Sequence, residues 1–236
     1  MRFDPSFSLL RTNVWTIASI IVAALSFGAP YTAASEADDH LIPADALFQR
    51  YRDFLAFRLA NRLFNCGRVI VAPAFEGESS ISVYCVSTKD LREKCRVTYT
   101  QASDNLWQQT SALQHLERAS HIKISRIDAE ISAKTAVSVR EAFLRILKVT
   151  RPHVAREGDM RMLSVDATYT EFSLEVADRR QLSGQLDVSL VRQGEDVRNL
   201  LTLSRLLVDY SKASGPDRPH IEHGIKRTAA HVAGAR

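Results

Sequence analysis

Residues 68–86 read RVIVAPAFEGESSISVYCV, and this stretch decides the fold. Arg68 to Ala72 and Ile81 to Val86 are rich in β-branched and aromatic residues, the side chains that suit a pleated, half-buried surface. Between them Glu76-Gly77-Glu78 offers a turn, with Gly77 able to supply a positive φ. The two runs therefore pair as an antiparallel hairpin. A turn centred near Gly77 sets Cys85 opposite Arg68 and leaves Cys66 two residues from direct opposition to Cys85. On that geometry a Cys66–Cys85 disulfide is expected, with Cys95 as the free thiol. Closing a loop of about 19 residues, the bridge would be worth roughly 3 kcal/mol in chain-entropy terms.

The strand pattern continues past the hairpin. Cys95, Val97 and Tyr99 alternate with Arg96, Thr98 and Thr100, which predicts a third strand with one buried face. Ile122 to Ile131 and Met162 to Val176 are also strand-like, but the apolar phase of each slips by one residue partway along. A bulge accounts for the first slip, and a bulge or a turn at Asp166-Ala167 for the second. Gln185 to Val191, bracketed by Gly184 and Gly194, is a further strand.

Three segments show helical period. Pro43 to Asn65 places Leu47, Tyr51, Phe54, Leu55, Leu59 and Leu63 on one face, with Pro43 in the first turn and Gly67 just past the end. Val139 to Thr150 has Ser138 and Glu141 at capping-box spacing and an apolar stripe of Val139, Phe143, Ile146 and Leu147. Asp196 to Lys212 carries Val197, Leu200, Leu203, Leu207 and Tyr210, with Gly215-Pro216 as its stop. A fourth helix over Asp104 to Ala119 rests on a thinner pattern. Strands that follow one another by short links, with helices before, between and after them, indicate an α+β fold. The expectation is a meander-like antiparallel sheet of about five to seven strands with two or three amphipathic helices laid on one face.

Upstream, Val14 to Ala29 is an apolar run preceded by Arg2 and Arg11 and followed by small residues, the three parts of a secretory signal peptide. The expected organisation is a signal peptide over 1–35, one α+β domain over 36–215 and a disordered or loosely helical tail over 216–236. The alternative for 14–29 is an uncut membrane anchor, although sixteen residues fall short of the about 20 that span a bilayer.

The 236-residue chain has 31 basic and 27 acidic side chains, a net charge of +4. The charges are interleaved, so no basic stripe exists to hold a nucleic acid. The three cysteines match neither a paired zinc motif nor a redox CxxC. His220-Ile221-Glu222-His223 with His231 brings ligand types together, but on the expected tail, where a metal site has no rigid support. Ser120-His121-Ile122-Lys123, Ser103-Asp104-Asn105 and Lys134-Thr135-Ala136 imitate the motifs of penicillin-binding enzymes in the wrong order and spacing. A nucleophilic cysteine with His115 or His121 as base is outweighed by the inward alternation of Cys95 with Val97 and Tyr99. No catalytic residue, metal or cofactor is assigned. Trp107 and Tyr169 are the candidate binding-surface aromatics. The expected function is that of an exported, non-enzymatic protein of the bacterial cell envelope that binds a protein or an envelope component. An envelope hydrolase, a thiol-dependent enzyme and a membrane-anchored structural subunit are the alternatives.

Overall fold

The hairpin forms as β1 (Gly67–Ala72) and β2 (Ser79–Ser87), and it sits at the centre of a six-stranded antiparallel sheet. The computed structural model describes residues 40–44, 49–60, 63–87, 93–110, 114–152, 168–176, 180–186 and 194–234. The expected signal peptide lies outside the described residues. From β2 the chain continues as a meander into β3 (Glu93–Ala102) and β4 (Ile124–Ile131), then crosses back to the other edge for β5 (Tyr169–Glu175) and β6 (Gln181–Gln185). The spatial order is β4-β3-β2-β1-β5-β6. β6 meets the expected strand over 185–191 only at Gln185, residues 187–191 lie outside the described ones, and Gly184 lies inside β6, where a Cβ would press within 2.9 Å of Leu41.

Helices cover both faces of this sheet, not one. On the first face lie α3 (Ala133–Lys148) and α4 (Glu195–Lys212), and α5 (Arg218–Ala233) packs against both. Their stripes, including Val139, Phe143, Ile146, Leu200, Leu203 and Leu207, bury against Val69, Ile81, Val83, Val97, Phe172 and Leu174. On the second face lie α1 (Gln49–Arg58), the single helical turn α2 (Leu106–Gln109) and a 3-10 turn over Leu116–His121. Tyr51, Leu55, Leu106, Ala119 and Ile122 form a smaller core there with Ile70 and Ala72.

The two-sided cover explains the phase slips. β4 pairs with β3 residue for residue from Ile124 to Ile131, with no bulge. Ile122 and Ile124 belong to the second core and Ala129 and Ile131 to the first, so the apolar residues change parity because they serve different faces. β5 repeats this, with Tyr169 facing the smaller core and Phe172 and Leu174 the larger. Residues 162–167 of the expected strand over 162–176, including the Asp166-Ala167 position, lie outside the described ones.

Other boundaries move for local reasons. α3 begins at Ala133 rather than Val139, because Ser132 caps it by accepting the Thr135 N–H at 3.2 Å, while Ser138 lies inside the helix. Pro43 and Ala44 are not helical, and the described part of the first helix is 49–58. The expected helix over 104–119 is reduced to α2 and the 3-10 turn. The expected loose tail is the helix α5, whose Ile225, Ala229 and Val232 are fully buried. Among the described residues no helix is long and apolar enough to cross a membrane.

Glycine is required at two places. Gly67 opens β1 at φ +136°, and a Cβ there would lie 3.0 Å from the Phe143 ring. At Gly77 the requirement is close approach rather than positive φ, since a Cβ would fall 2.1 Å from the Ala102 carbonyl oxygen.

Candidate functional site

The second face of the sheet is polar. One row crosses all six strands as Asp128, Thr98, Ser82, Arg68, Ser173 and Ser183, each paired with the next. Its four central members, Thr98, Ser82, Arg68 and Ser173, are buried. Buried polar groups require directional partners, and α1 supplies one to Glu171, two residues from Ser173 on the same face of β5. Arg52 turns inward beside Tyr51 and Leu55 and reaches Glu171 on β5, with Nη1 3.6 Å from Oε2. The same carboxylate oxygen accepts the Tyr169 hydroxyl at 2.7 Å. Arg68 donates from Nε to Ser173 Oγ at 2.9 Å and stacks its guanidinium 4.1 Å above the Phe64 ring. Burial pulls Arg68 below the ordinary guanidinium value, with Glu171 acting against that shift.

A second buried carboxylate fixes the loops. Glu78 is fully buried and accepts the N–H groups of Leu106 at 2.7 Å and Trp107 at 3.1 Å, together with the Tyr51 hydroxyl. Burial, then the Glu78 hydrogen bond and charge, raise Tyr51 far above an ordinary phenol, so its proton stays in place. Asn105 pins the β1–β2 loop to α2 by donating to the carbonyls of Pro73, Ala74 and Glu76 at 3.0 to 3.3 Å.

With its inner side held in this way, α1 turns an apolar side outward. Phe54, Phe57, Leu116 and Ala119 line a groove of about 530 Å³ between α1 and the 3-10 turn, with Arg58 and Glu117 among its residues. Arg58 Nη2 donates to the Ala119 carbonyl at 2.7 Å and fixes the groove's width. Phe57 is 79% exposed. Among the described residues the exposed large aromatics are Phe57, Phe75 and Trp107, and these lie on α1, on the loop pinned by Asn105, and on α2. The α1 side of the molecule thus carries the exposed aromatic surface. A second opening, about 750 Å³ at the sheet end, is lined by Phe75 with Glu76, Gln101, Asp104, Lys123 and Ser125.

The residues singled out from sequence are distributed over this frame. Trp107 is partly exposed on α2 and packs edge-on against Tyr51 at 4.7 Å. Tyr169 is half-buried at the start of β5 and is tied to Glu171. Neither lines the two grooves described above. The cysteine pairing is a correction, because Cys85 is bonded to Cys95 and the free thiol is Cys66. The β1–β2 register pairs Gly67 with Val83 and so puts the Asn65 side chain, not a cysteine, level with Cys85. The β2–β3 register sets Cys85 directly opposite Cys95, at a Cα separation of 4.0 Å. That pairing was within reach of the sequence, since Cys85 and Cys95 lie equally far from Asp90, in the middle of the charged segment that joins their strands.

The motif fragments disperse. Ser120 Oγ donates to the Glu117 carbonyl, Asn105 caps α2, and Thr135 lies in the first turn of α3. His115 lies 3.3 Å from Glu117, exposed in the segment that leads into the 3-10 turn, while Cys95 is consumed in its bridge. Glu222 of the histidine-rich segment is engaged by Ser132 and Thr135 on α3, and His231 lies 3.1 Å from Glu195. The groove itself was missed. Its signal was Phe57, an aromatic residue off the apolar stripe of the first helix, where a solvated face wants polar side chains. Comparison with protein-family models, with curated proteins and with solved structures finds no match for this chain.

Proposed function

We propose that the protein is an exported, non-catalytic component of the bacterial cell envelope that works by binding a partner protein, and that the groove beside α1 receives an apolar segment of that partner. The observation that carries the reading is Phe57, an aromatic side chain 79% exposed at the mouth of an apolar groove whose walls are fixed by the Arg58–Ala119 hydrogen bond. Large aromatic side chains left in water beside a preformed apolar groove are the common anchors of protein interfaces.

Two further features support it. The buried polar groups that would draw attention as catalytic are engaged internally: Glu78 by two backbone N–H groups and a tyrosine, Glu171 by Arg52 and Tyr169. A buried Cys85–Cys95 disulfide favours an oxidising compartment, in keeping with the signal-like start of the sequence.

The test is site-specific photo-crosslinking in the living host. A photoreactive residue at position 57, compared with one at Val137 on the opposite side, should give a discrete adduct with one envelope protein. Equal or absent adducts at the two positions would refute the groove as a binding site. Amino-terminal mass spectrometry on the fractionated protein tests export separately, and a retained Met1 would remove the cleaved-leader part of the reading.

A further inference from the structure

We propose that Cys66, Cys85 and Cys95 form a thiol–disulfide exchange site, in which Cys85 is the sulfur shared by two alternative bridges. Cys66 Sγ lies 3.7 Å from Cys85 Sγ, in van der Waals contact with a disulfide that already joins Cys85 to Cys95. The backbone holds the sulfurs in this relation. The Cys66 N–H donates to the Val83 carbonyl at 3.1 Å, one step beyond the last β1–β2 pair. The Asn65 side chain bonds both the N–H and the carbonyl of Cys85, each at 2.9 Å, extending the ladder past the end of β1. Cys95 is fixed opposite Cys85 by the β2–β3 register. Moving the bridge therefore needs rotation of side chains and no change of strand pairing.

In the exchange Cys66 gives up its proton and its thiolate attacks Cys85 Sγ. The Cys66–Cys85 bond forms as the Cys85–Cys95 bond breaks, the electron pair leaves on Cys95 Sγ, and Cys95 takes up a proton. One thiol and one disulfide stand on each side of the reaction, so no oxidant or reductant is consumed. The bridge moves from near the turn of the β2–β3 hairpin to a link between β2 and the segment that follows α1.

The surroundings set the rate. Burial pushes the Cys66 thiol up to about 11, with Arg140 on α3 opposing that rise and Glu93 on β3 adding to it. Arg140 is held in place by its Nε donating to the Asn65 carbonyl at 3.1 Å. A Glu93 carboxylate oxygen, Cys85 Sγ and Cys95 Sγ all lie within 4.8 Å of one another, so negative charge also faces the departing Cys95 thiolate. Thiolate is scarce at neutral pH, exchange is slow there, and it accelerates as the pH rises toward the Cys66 value.

The experiment uses the oxidised full chain without denaturant, incubated at about pH 7 and about pH 9, quenched with acid, capped with N-ethylmaleimide and mapped by mass spectrometry. The label should start on one cysteine and spread between Cys66 and Cys95, roughly a hundredfold faster at the higher pH, following the thiolate fraction. In Cys95→Ser, air oxidation should produce a Cys66–Cys85 bridge in a chain whose circular dichroism is unchanged. Cys66→Ser should keep Cys85–Cys95 at every pH. A label that stays on one cysteine at both pH values, or a folded Cys95→Ser chain with two free thiols, would overturn the proposal.

Discussion

Adjacent residues on the same six strands build two unlike surfaces. On one face Ile127, Tyr99, Ile81, Val69, Phe172 and Gly184 cross the sheet in register, and one position along each strand the other face reads Asp128, Thr98, Ser82, Arg68, Ser173 and Ser183. Apart from the exposed Ile127 on the edge strand, the first row is covered by amphipathic helices, and the second lies on the side of α1, α2 and a 3-10 turn. Apolar burial is non-directional and roughly additive in area, so the helical face is where stability accumulates. Polar pairs depend on orientation, so the second face fixes the angle of α1 more than it adds free energy. α1, held on the polar face by Tyr51, Arg52 and Leu55, is also the element turned outward with Phe57 exposed.

The largest expected effect tests the first half of that contrast. Phe172, fully buried and edge-on to Phe143 at 6.0 Å, should cost about 3–5 kcal/mol as Phe172→Ala in urea unfolding. Ser173→Ala, one residue on and facing the other way, should cost about 1 kcal/mol, the net worth of the hydrogen bond it accepts from Arg68. Equal costs at the two positions would mean that both faces contribute alike, and the contrast would fail.

The second effect concerns Arg52 and Glu171. Removing either charge leaves the other buried without its partner, at about 3 kcal/mol for Arg52→Met or Glu171→Leu alone. The double variant should return to within about 1 kcal/mol of the wild type, since two apolar side chains need no pairing. An additive loss in the double-mutant cycle would show that the two side chains are not coupled, and the pairing of Arg52 with Glu171 as the contact that orients α1 would fail.

The contrast between the faces also explains what the sequence could reveal. The helical face was legible because its residues recur at helical or strand period: Val139, Phe143, Ile146, Leu147, Val197, Leu200 and Leu203 were all identified and all are buried. The second face was not, because Ser82, Thr98, Arg68 and Ser173 look like solvent-facing residues until something covers them. Hence the phase slips in Ile122–Ile131 and before Phe172 read as a bulge and as a bulge or a turn, whereas Ile122, Ile124 and Tyr169 serve the other core. The candidate groove was less legible still. It joins Phe57 to Leu116, residues brought together by tertiary packing and by no local pattern, and only the misplaced aromatic hinted at it. α5 escaped notice because its stripe of Ile225, Ala229 and Val232 is sparse and includes an alanine, which suits close packing on two other helices.

A smaller effect is expected where α5 is tied to the helical layer. Burial alone would raise the Glu222 carboxyl, but hydrogen bonds from Ser132 and Thr135, with Lys226 nearby, bring it below its ordinary value. A depressed carboxyl contributes stability that is full above its unfolded value and is lost as the pH falls through the folded one. Glu222→Gln should therefore cost about 1 kcal/mol at neutral pH, and the gap to the wild type should close on acidification. A gap independent of pH would assign the effect to packing rather than to the carboxylate.

The smallest effect on stability should accompany the largest on binding. Phe57→Asp places a charge on a side chain 79% exposed, so unfolding should shift by no more than about 0.5 kcal/mol. Leu55→Asp, two residues earlier and fully buried against the second face, should unfold the α1 side outright, since an unpaired carboxylate there has no partner. With the photoreactive residue moved to Leu116, across the same groove, Phe57→Asp should abolish the adduct while leaving the melting curve in place. Binding depends on Phe57 in this view because the polar contacts beneath α1 have already fixed its direction, so the aromatic ring meets its partner without an ordering cost. If the adduct persists, Phe57 is merely exposed, and the second face has no more to do with recognition than the first.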